Sequence, residues 1–241
     1  MADLTVFPDA TQLAHGAAEH VIGLAQQAIA ANGRFNIALS GGSTPRGLYT
    51  LLAMQYASAI DWTRVNFYWG DERTVPPDHP DSDYGMAAAA LLQPLNLPSA
   101  NIFRMQGEDD PDRAAHEYEN LLVQNLGEPP RFDLILLGLG EDGHTASLFP
   151  HTMALYEPAR WCVANWVEQL QTWRITLTSR AINAASNVTF LVAGENKAER
   201  LRQVIEGEYK PDDLPSQLIK PEHGALRWFV DAAAASLLQR V

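Results

Sequence analysis

Short, almost unbroken apolar runs recur along this chain, and each one ends at a glycine or a polar turn. Leu4–Phe7, Phe35–Leu39, Val65–Trp69, Phe132–Leu137, Val188–Val192 and Leu226–Val230 are too short for helices and carry too little polar alternation for strands with one wet face. Stretches with helical spacing separate them. Leu13, Ala17, Val21, Leu24 and Ala28 recur on one side of a helix expected from about Asp9 to Ala31, which Asn32 and Gly33 stop. Strands that are apolar on both faces and alternate with helices predict a mostly parallel sheet covered by helices on both sides, a three-layer α/β fold. Ligands of such sheets sit beyond the carboxyl ends of the strands.

The same reading places further elements. Pro45 suits the first turn of a helix capped by Thr44 and carrying Leu48, Leu51 and Leu52 on one side. Thr74 to Ser82, with three prolines, reads as a loop, and helices follow from Asp83 to about Leu92 and over Asp112–Leu126. Arg160–Ala164 and Trp173–Leu177 are further strand candidates that repeat the strand–helix theme. Helices are expected over Ala181–Ala185, Glu195–Glu206, Leu214–Ile219 and Asp231–Gln239. There is no linker, low-complexity tract or internal repeat, so one domain is expected over residues 1–241.

Bulk properties narrow the function. With 46% hydrophobic and 19% charged residues in 241, the chain can bury a real core, which excludes a disordered tail or scaffold. A net charge of -12 and scattered cations exclude a nucleic-acid footprint, and an anionic substrate would have to be held by a few local cations. One cysteine, Cys162, in an apolar run, allows no internal disulfide and fits a reducing compartment. The start MADLTVF lacks the pattern of a signal peptide, and no run approaches a membrane span. A cytoplasmic protein without nucleic-acid or membrane partners is expected.

Three unusual segments stand at strand ends: SGGSTP (40–45), GDER (70–73) and GLGEDGHTASLFP (138–150). In the first, Gly41 and Gly42 let the backbone approach a ligand, and Ser43, Thr44 and the N–H groups of the next helix could hold a phosphate. An ordinary tight turn and helix cap is the competing reading. In the second, Arg73 could fork onto a phosphate and Asp71 could order a water or a hydroxyl, against a plain surface ion-pair network. The third sets Glu141, Asp142 and His144 in a glycine-rich exit, where His144 could take a proton from water near neutral pH. The seven histidines form no HxH or HxxxH pair, so a zinc site is not expected. Asp71 with Asp142 leaves Mg²⁺ open as an alternative. A P-loop lysine, a GxGxxG and a G-x-S-x-G elbow are all missing, which argues against a nucleotide site and a serine nucleophile; Ser147 would cap or orient. The tryptophans Trp69, Trp161, Trp166, Trp173 and Trp228 read as core or rim residues.

Taken in order and spacing, SGGSTP, WGDERTVPPDHPDSDYG (69–85), GLGEDGHTASLFP, RITLT (174–178) and GENK (194–197) resemble the 6-phosphogluconolactonase family, which is grouped with the glucosamine-6-phosphate deaminases. The resemblance implies a Rossmann-like sheet with, often, a smaller lobe. It implies hydrolysis of 6-phospho-D-glucono-1,5-lactone, a small phosphorylated sugar lactone, without metal or cofactor, by a monomer or homodimer. His144 matches the family's general base and Asp142 the acid beside it. Arg73, Arg174 and Lys197 match basic positions on the substrate side, with Ser43 and Thr44 in the phosphate loop. The deaminases resemble DGHIAFNEP where this chain has DGHTASLFP, so Phe149 stands where their glutamate would be. A sensor that kept the pocket without the activity is the non-enzymatic alternative. One departure is Asp83, where the lactonases usually have asparagine; it adds negative charge near the phosphate loop.

Overall fold

The structure, a computed structural model, describes residues 3–239, so the outermost two residues at each end of the expected 1–241 domain lie outside the described part. Strands β1 (Asp3–Phe7), β2 (Phe35–Leu39), β3 (Val65–Trp69), β5 (Leu134–Leu137), β8 (Asn187–Val192) and β9 (Ala225–Asp231) form one six-stranded sheet in the order β1-β9-β8-β5-β2-β3. Every pairing in it is parallel. Side chains of successive strand residues point to opposite faces, and both faces are dry. Ile37, Leu39, Leu134 and Leu136 enter one core with Leu13, Val21 and Leu48 of the helices α1 (Ala10–Asn32) and α2 (Ser43–Gln55). Ala38, Ile135, Leu137, Val188 and Phe190 enter the other. There they meet Ala115, Tyr118 and Leu122 of α4 (Pro111–Leu126) and Leu201 of α6 (Ala198–Glu206). Burial on both faces is why these strands read as unbroken apolar runs.

The chain ends set the helix boundaries as expected at α1. Asp9 caps it, accepting from the Gln12 N–H at 2.8 Å, and Gly33 follows its last residue. At α2 the expectation is corrected. The helix starts at Ser43, its cap position is Gly42, and no side chain caps it, so Thr44 is already inside the helix. A further correction concerns the second half. Asp71–Arg73 is itself a strand, β4, and with β6 (Cys162–Val167) and β7 (Thr172–Leu177) it builds a separate antiparallel sheet in the order β4-β7-β6. The runs at 160–164 and 173–177 therefore belong to this smaller sheet rather than to the parallel one. Helix α3 (Asp83–Ala87) continues as a π-helical turn through Leu92, and α5 spans Ser179–Asn183. A 3₁₀ turn at Pro215–Leu218 stands where a helix was expected at 214–219.

The helix expected over Asp231–Gln239 is absent: Asp231 belongs to β9 and residues 232–237 form turns. Asp231 ends β9 in register with Phe7, and its carboxylate accepts from the N–H groups of Ala234 (2.7 Å) and Gly194 (3.1 Å). A side chain that captures a backbone donor three residues on closes a turn. Tertiary pairing here overrides the helix propensity of the alanine run.

Candidate active site

From β2 the chain crosses to β3 on one side, and from β5 it crosses to β8 on the other, so the direction of winding reverses between the neighbours β2 and β5. A crevice opens beyond the carboxyl ends at such a point. The cleft found there, about 580 Å³, is lined by Ser40, Gly41 and Gly42 after β2, and by residues 138–142, His144, Ala146, Ser147 and Phe149 after β5. Asp71, Arg73, Arg174, Gln169 and Leu170 of the small sheet, with Asp83 and Lys197, close it. All three strand-end segments thus meet. Ser43 and Thr44 stand in the first turn of α2, next to Gly42 but outside the lining residues. A larger groove, about 740 Å³, runs past Arg46, His79 and Tyr84; it lies away from the strand-end acids and His144.

The loop after β5 is built around one hydrogen bond. His144 Nδ1 lies 2.5 Å from Asp142 Oδ1, which also accepts from the His144 backbone N–H at 3.1 Å. Burial pushes the Asp142 carboxyl up, but the His144 hydrogen bond and charge, and the Gln169 amide, outweigh it and bring Asp142 down to about 2. Asp142 is therefore a carboxylate at neutral pH, Nδ1 carries the proton between them, and Nε2 is the ring nitrogen left to accept another. The Phe149 ring stacks on the imidazole with centroids 4.0 Å apart and planes at 23°. Gly140 is required at this point, because a Cβ there would stand 2.1 Å from His144 Nδ1.

The loop is then fastened to both sheets. Thr145 donates to the Gly138 carbonyl at 2.9 Å, and Ser216 donates to the Gly143 carbonyl from both its N–H and its hydroxyl. Ser147 donates through its hydroxyl to Asp71 Oδ2 at 2.6 Å, and its N–H donates to Thr176 Oγ1 at 3.1 Å. Asn165 donates to the Ser147 carbonyl at 2.9 Å. Between these anchors Ala146 adopts a left-handed backbone with φ 46°, a conformation that costs on the order of 1–3 kcal/mol in a non-glycine residue and is held by its surroundings. The sequence reading of Ser147 as an orienting residue fits this geometry.

The small sheet supplies two arginines to the cleft, and Lys197 stands on the side of the His144 loop. Arg73 and Arg174 are register partners on β4 and β7. Arg73 Nε sits 3.2 Å from Asp83 Oδ2, and its Nη1 donates to the Asp81 carbonyl at 2.7 Å. Burial and then the neighbouring Arg73 charge hold Arg174 below the ordinary arginine value, against the pull of Asp71, Asp83 and Asp81. Lys197 Nζ lies 4.0 Å from Glu141 Oε1. Beneath Arg73, the buried Glu72 accepts from the N–H groups of Arg73, Asp83 and Tyr84, each at 2.8 Å, and from the Ser82 hydroxyl at 3.1 Å. Burial pushes Glu72 up; those donors offset it in part. Asp83 is pushed well above the carboxylate range by burial and by Asp71, against the pull of Arg73. Its carboxylate lies where a Cβ on Gly41 would be, 1.8 Å from Oδ1, so only glycine fits at 41. Ser82 caps α3, its hydroxyl accepting from the Gly85 N–H.

The structure thus brings Gly41, Gly42, Asp71, Arg73, Asp142, His144, Arg174 and Lys197 to one cleft. Sequence reasoning missed Glu72 as the anchor of this wall and Gln169 as a partner of Asp142. The donor count of a buried carboxylate and a contact across 27 residues leave no local pattern. Among the described residues, no group of three or more His, Cys, Asp or Glu stands together as a metal site, and no helix is long and apolar enough to cross a membrane.

Comparison with known proteins agrees with this geometry over nearly the whole chain. A 6-phosphogluconolactonase of Synechocystis sp. is 44% identical over 218 residues, 88% of each chain. One of Nostoc sp. is 43% identical over 240 residues, 97% of each. The solved 6-phosphogluconolactonase from Trypanosoma cruzi superposes with a TM-score of 0.89 at 29% identity, covering 99% of this chain and 97% of that one. The family described as glucosamine-6-phosphate isomerases/6-phosphogluconolactonase matches residues 8–228, and with these similarities the chain belongs to that family.

Proposed function

We propose that this chain is a 6-phosphogluconolactonase, hydrolysing 6-phospho-D-glucono-1,5-lactone to 6-phospho-D-gluconate in the pentose phosphate pathway. The observation that carries the reading is a base and a set of cations lining one cleft: His144 on Asp142 at 2.5 Å, with Arg73, Arg174 and Lys197. A δ-lactone is an activated ester, so general base catalysis, typically ~10²–10⁴-fold, is a useful share of what is needed. Water attacks the carbonyl carbon while Nε2 of His144 takes its proton. The carbonyl oxygen gains charge, the ring C–O bond then breaks, and the ring oxygen leaves with a proton returned by the imidazolium. Asp142 stabilises that imidazolium through Nδ1.

The N–H groups of Gly140 and Gly143 are spent inside their own loop, on the carbonyls of His144 and Gly140. The free N–H groups of the first turn of α2 are better placed to receive negative charge. We assign the phosphate to that turn, with Ser43 and Thr44, and to Arg73, Arg174 and Lys197. Phosphate binding then holds the ring in register for attack. Asp71, fixed by Ser147, is left to accept from a sugar hydroxyl. Every step runs on water, one base and hydrogen-bond donors.

Phe149 against the imidazole supports the lactonase over the deaminase reading, because an aromatic ring lies where a second carboxyl partner of His144 would be needed. Residues 1–241 act as one catalytic unit in this reading, with the antiparallel sheet as its smaller lobe. One chain supplies the whole cleft, so a monomer or a homodimer serves equally. The single thiol, Cys162, is buried and suits a reducing cytoplasm. The test is a single-turnover reaction with freshly generated lactone in ¹⁸O-water. Labelled 6-phosphogluconate should form well above the buffer rate; formation at the buffer rate would sink the assignment.

A further inference from the structure

The hairpin between β6 and β7 reaches from the antiparallel sheet to the loop that carries the base. Its strands pair through Val167 and Thr172, leaving a tip at residues 168–171. The tip is tied to itself. Glu168 accepts from the Trp166 indole at 2.7 Å and from Gln171 Nε2 at 2.8 Å, and Gln171 takes a left-handed backbone with φ 50°. Below it, Trp166 and Trp173 pack edge to face, with centroids 5.5 Å apart. A tip braced in this way presents Gln169 in one direction, and Gln169 Nε2 donates to Asp142 Oδ2 at 3.0 Å. The two oxygens of Asp142 are thereby divided: Oδ1 takes the imidazole, Oδ2 takes the amide.

From this geometry we infer that Gln169 is a positioning residue for the lactone hydrolysis, completing a His144–Asp142–Gln169 relay from the tip of the small sheet. A carboxylate held at one oxygen can swing about its Cβ–Cγ bond and carry the imidazole with it. Held at both, it fixes the ring plane and the direction of Nε2. A misplacement on the order of 1 Å at a base can cost about 10²-fold in rate. The Gln169 amide donates to Asp142 rather than engaging the cations, so the cost falls on kcat rather than on KM. The inference rests on the lactonase reading for its kinetic arm only.

Gln169 is exposed, so its replacement threatens the fold little. Gln169→Ala is expected to lower kcat about ten-fold with KM within two-fold of wild type. Gln169→Glu gives the sharper readout. While protonated, the new carboxyl donates to Asp142 as the amide does; once ionised, it repels that carboxylate. The ratio of Gln169→Glu to wild-type kcat should therefore fall as pH rises through the carboxyl titration, a pH dependence that a merely structural contact would not produce. Carbon-13 titration of the Asp142 carboxyl needs no substrate: it should shift to higher pH in Gln169→Ala, because a donor to the charged form has gone. An Asp142 titration unchanged by Gln169→Ala overturns the relay, whatever the chain hydrolyses. If wild type turns over the lactone, a flat Gln169→Glu ratio together with a Gln169→Ala kcat within two-fold of wild type overturns it as well.

Discussion

Two carboxylates line the same cleft, and their surroundings drive them in opposite directions. Asp142 has a side chain 34% exposed and is tied to an imidazole and an amide, and it is brought down to about 2. Asp83 has a side chain 5% exposed, faces Asp71 and Glu72, and is pushed well above the carboxylate range even though Arg73 lies 3.2 Å away. A partner that donates a hydrogen bond along a defined direction outweighs partial burial. A cation already shared among several acids does not outweigh nearly complete burial. The difference separates a wall where Asp142 stays charged beside His144 from a wall where Arg73 is shared among Asp83, Asp71 and Glu72.

Breaking the first wall should have the largest effect. His144→Ala is expected to lower kcat by at least ~10²-fold with thermal unfolding near wild type, since the ring is half-exposed and holds no strand. Steady-state kinetics with a melting curve read both. Asp142→Asn comes next, at roughly 10–10²-fold in kcat, because the amide can hold the ring but not its charge. It should also remove an acid-side dependence of stability. Asp142 is lowered from 3.8 to about 2, so its contribution is full above the unfolded value and fades as pH falls from about 4 toward 2. Unfolding followed across that window in both proteins would show the divergence, and parallel curves would remove the dyad from the account.

Breaking the second wall should leave chemistry and weaken recognition. Arg174→Ala is expected to raise KM for the phosphorylated lactone roughly ten-fold while changing kcat/KM for an unphosphorylated gluconolactone by less than two-fold. Equal losses on both substrates would make Arg174 structural. The smallest effect belongs to Asp83→Asn. A carboxyl whose folded value is raised costs stability once it ionises, so the substitution should raise Tm at neutral pH by roughly 2–4 °C, the shift of about 1 kcal/mol in a chain of this size. That gain should disappear below the ordinary carboxylate range, where both forms are neutral. A drop in Tm at neutral pH would mean that the Arg73 pair outweighs burial after all.

How much of this was legible in the sequence differs between the same two walls. The base loop announced itself, because a tight strand exit needs glycines and the dyad partners lie two residues apart, at Asp142 and His144. The anion wall was legible in its cations but not in its construction. An apolar run such as 173–177 looks alike in a parallel and an antiparallel sheet, and three residues, 71–73, are too few to read as a strand. Thr44 looked like a cap because it precedes Pro45, yet Gly42 occupies the cap position. The alanine run 232–235 read as helix because propensity is local, while the contacts of Asp231 that turn it are not. Asp83 stood out by its identity, but its burial against Gly41 is a property of the fold.

The division into two walls makes one demand on the unaltered protein. Initial rates of acid release should be compared, at matched concentrations and one pH, for freshly generated 6-phosphogluconolactone and for gluconolactone without the phosphate. A large acceleration over buffer for the first, and kcat/KM at least ten-fold lower for the second, is the result expected of a base and a phosphate-holding wall acting together. No acceleration for the phosphorylated lactone, or equal acceleration for both, would contradict it.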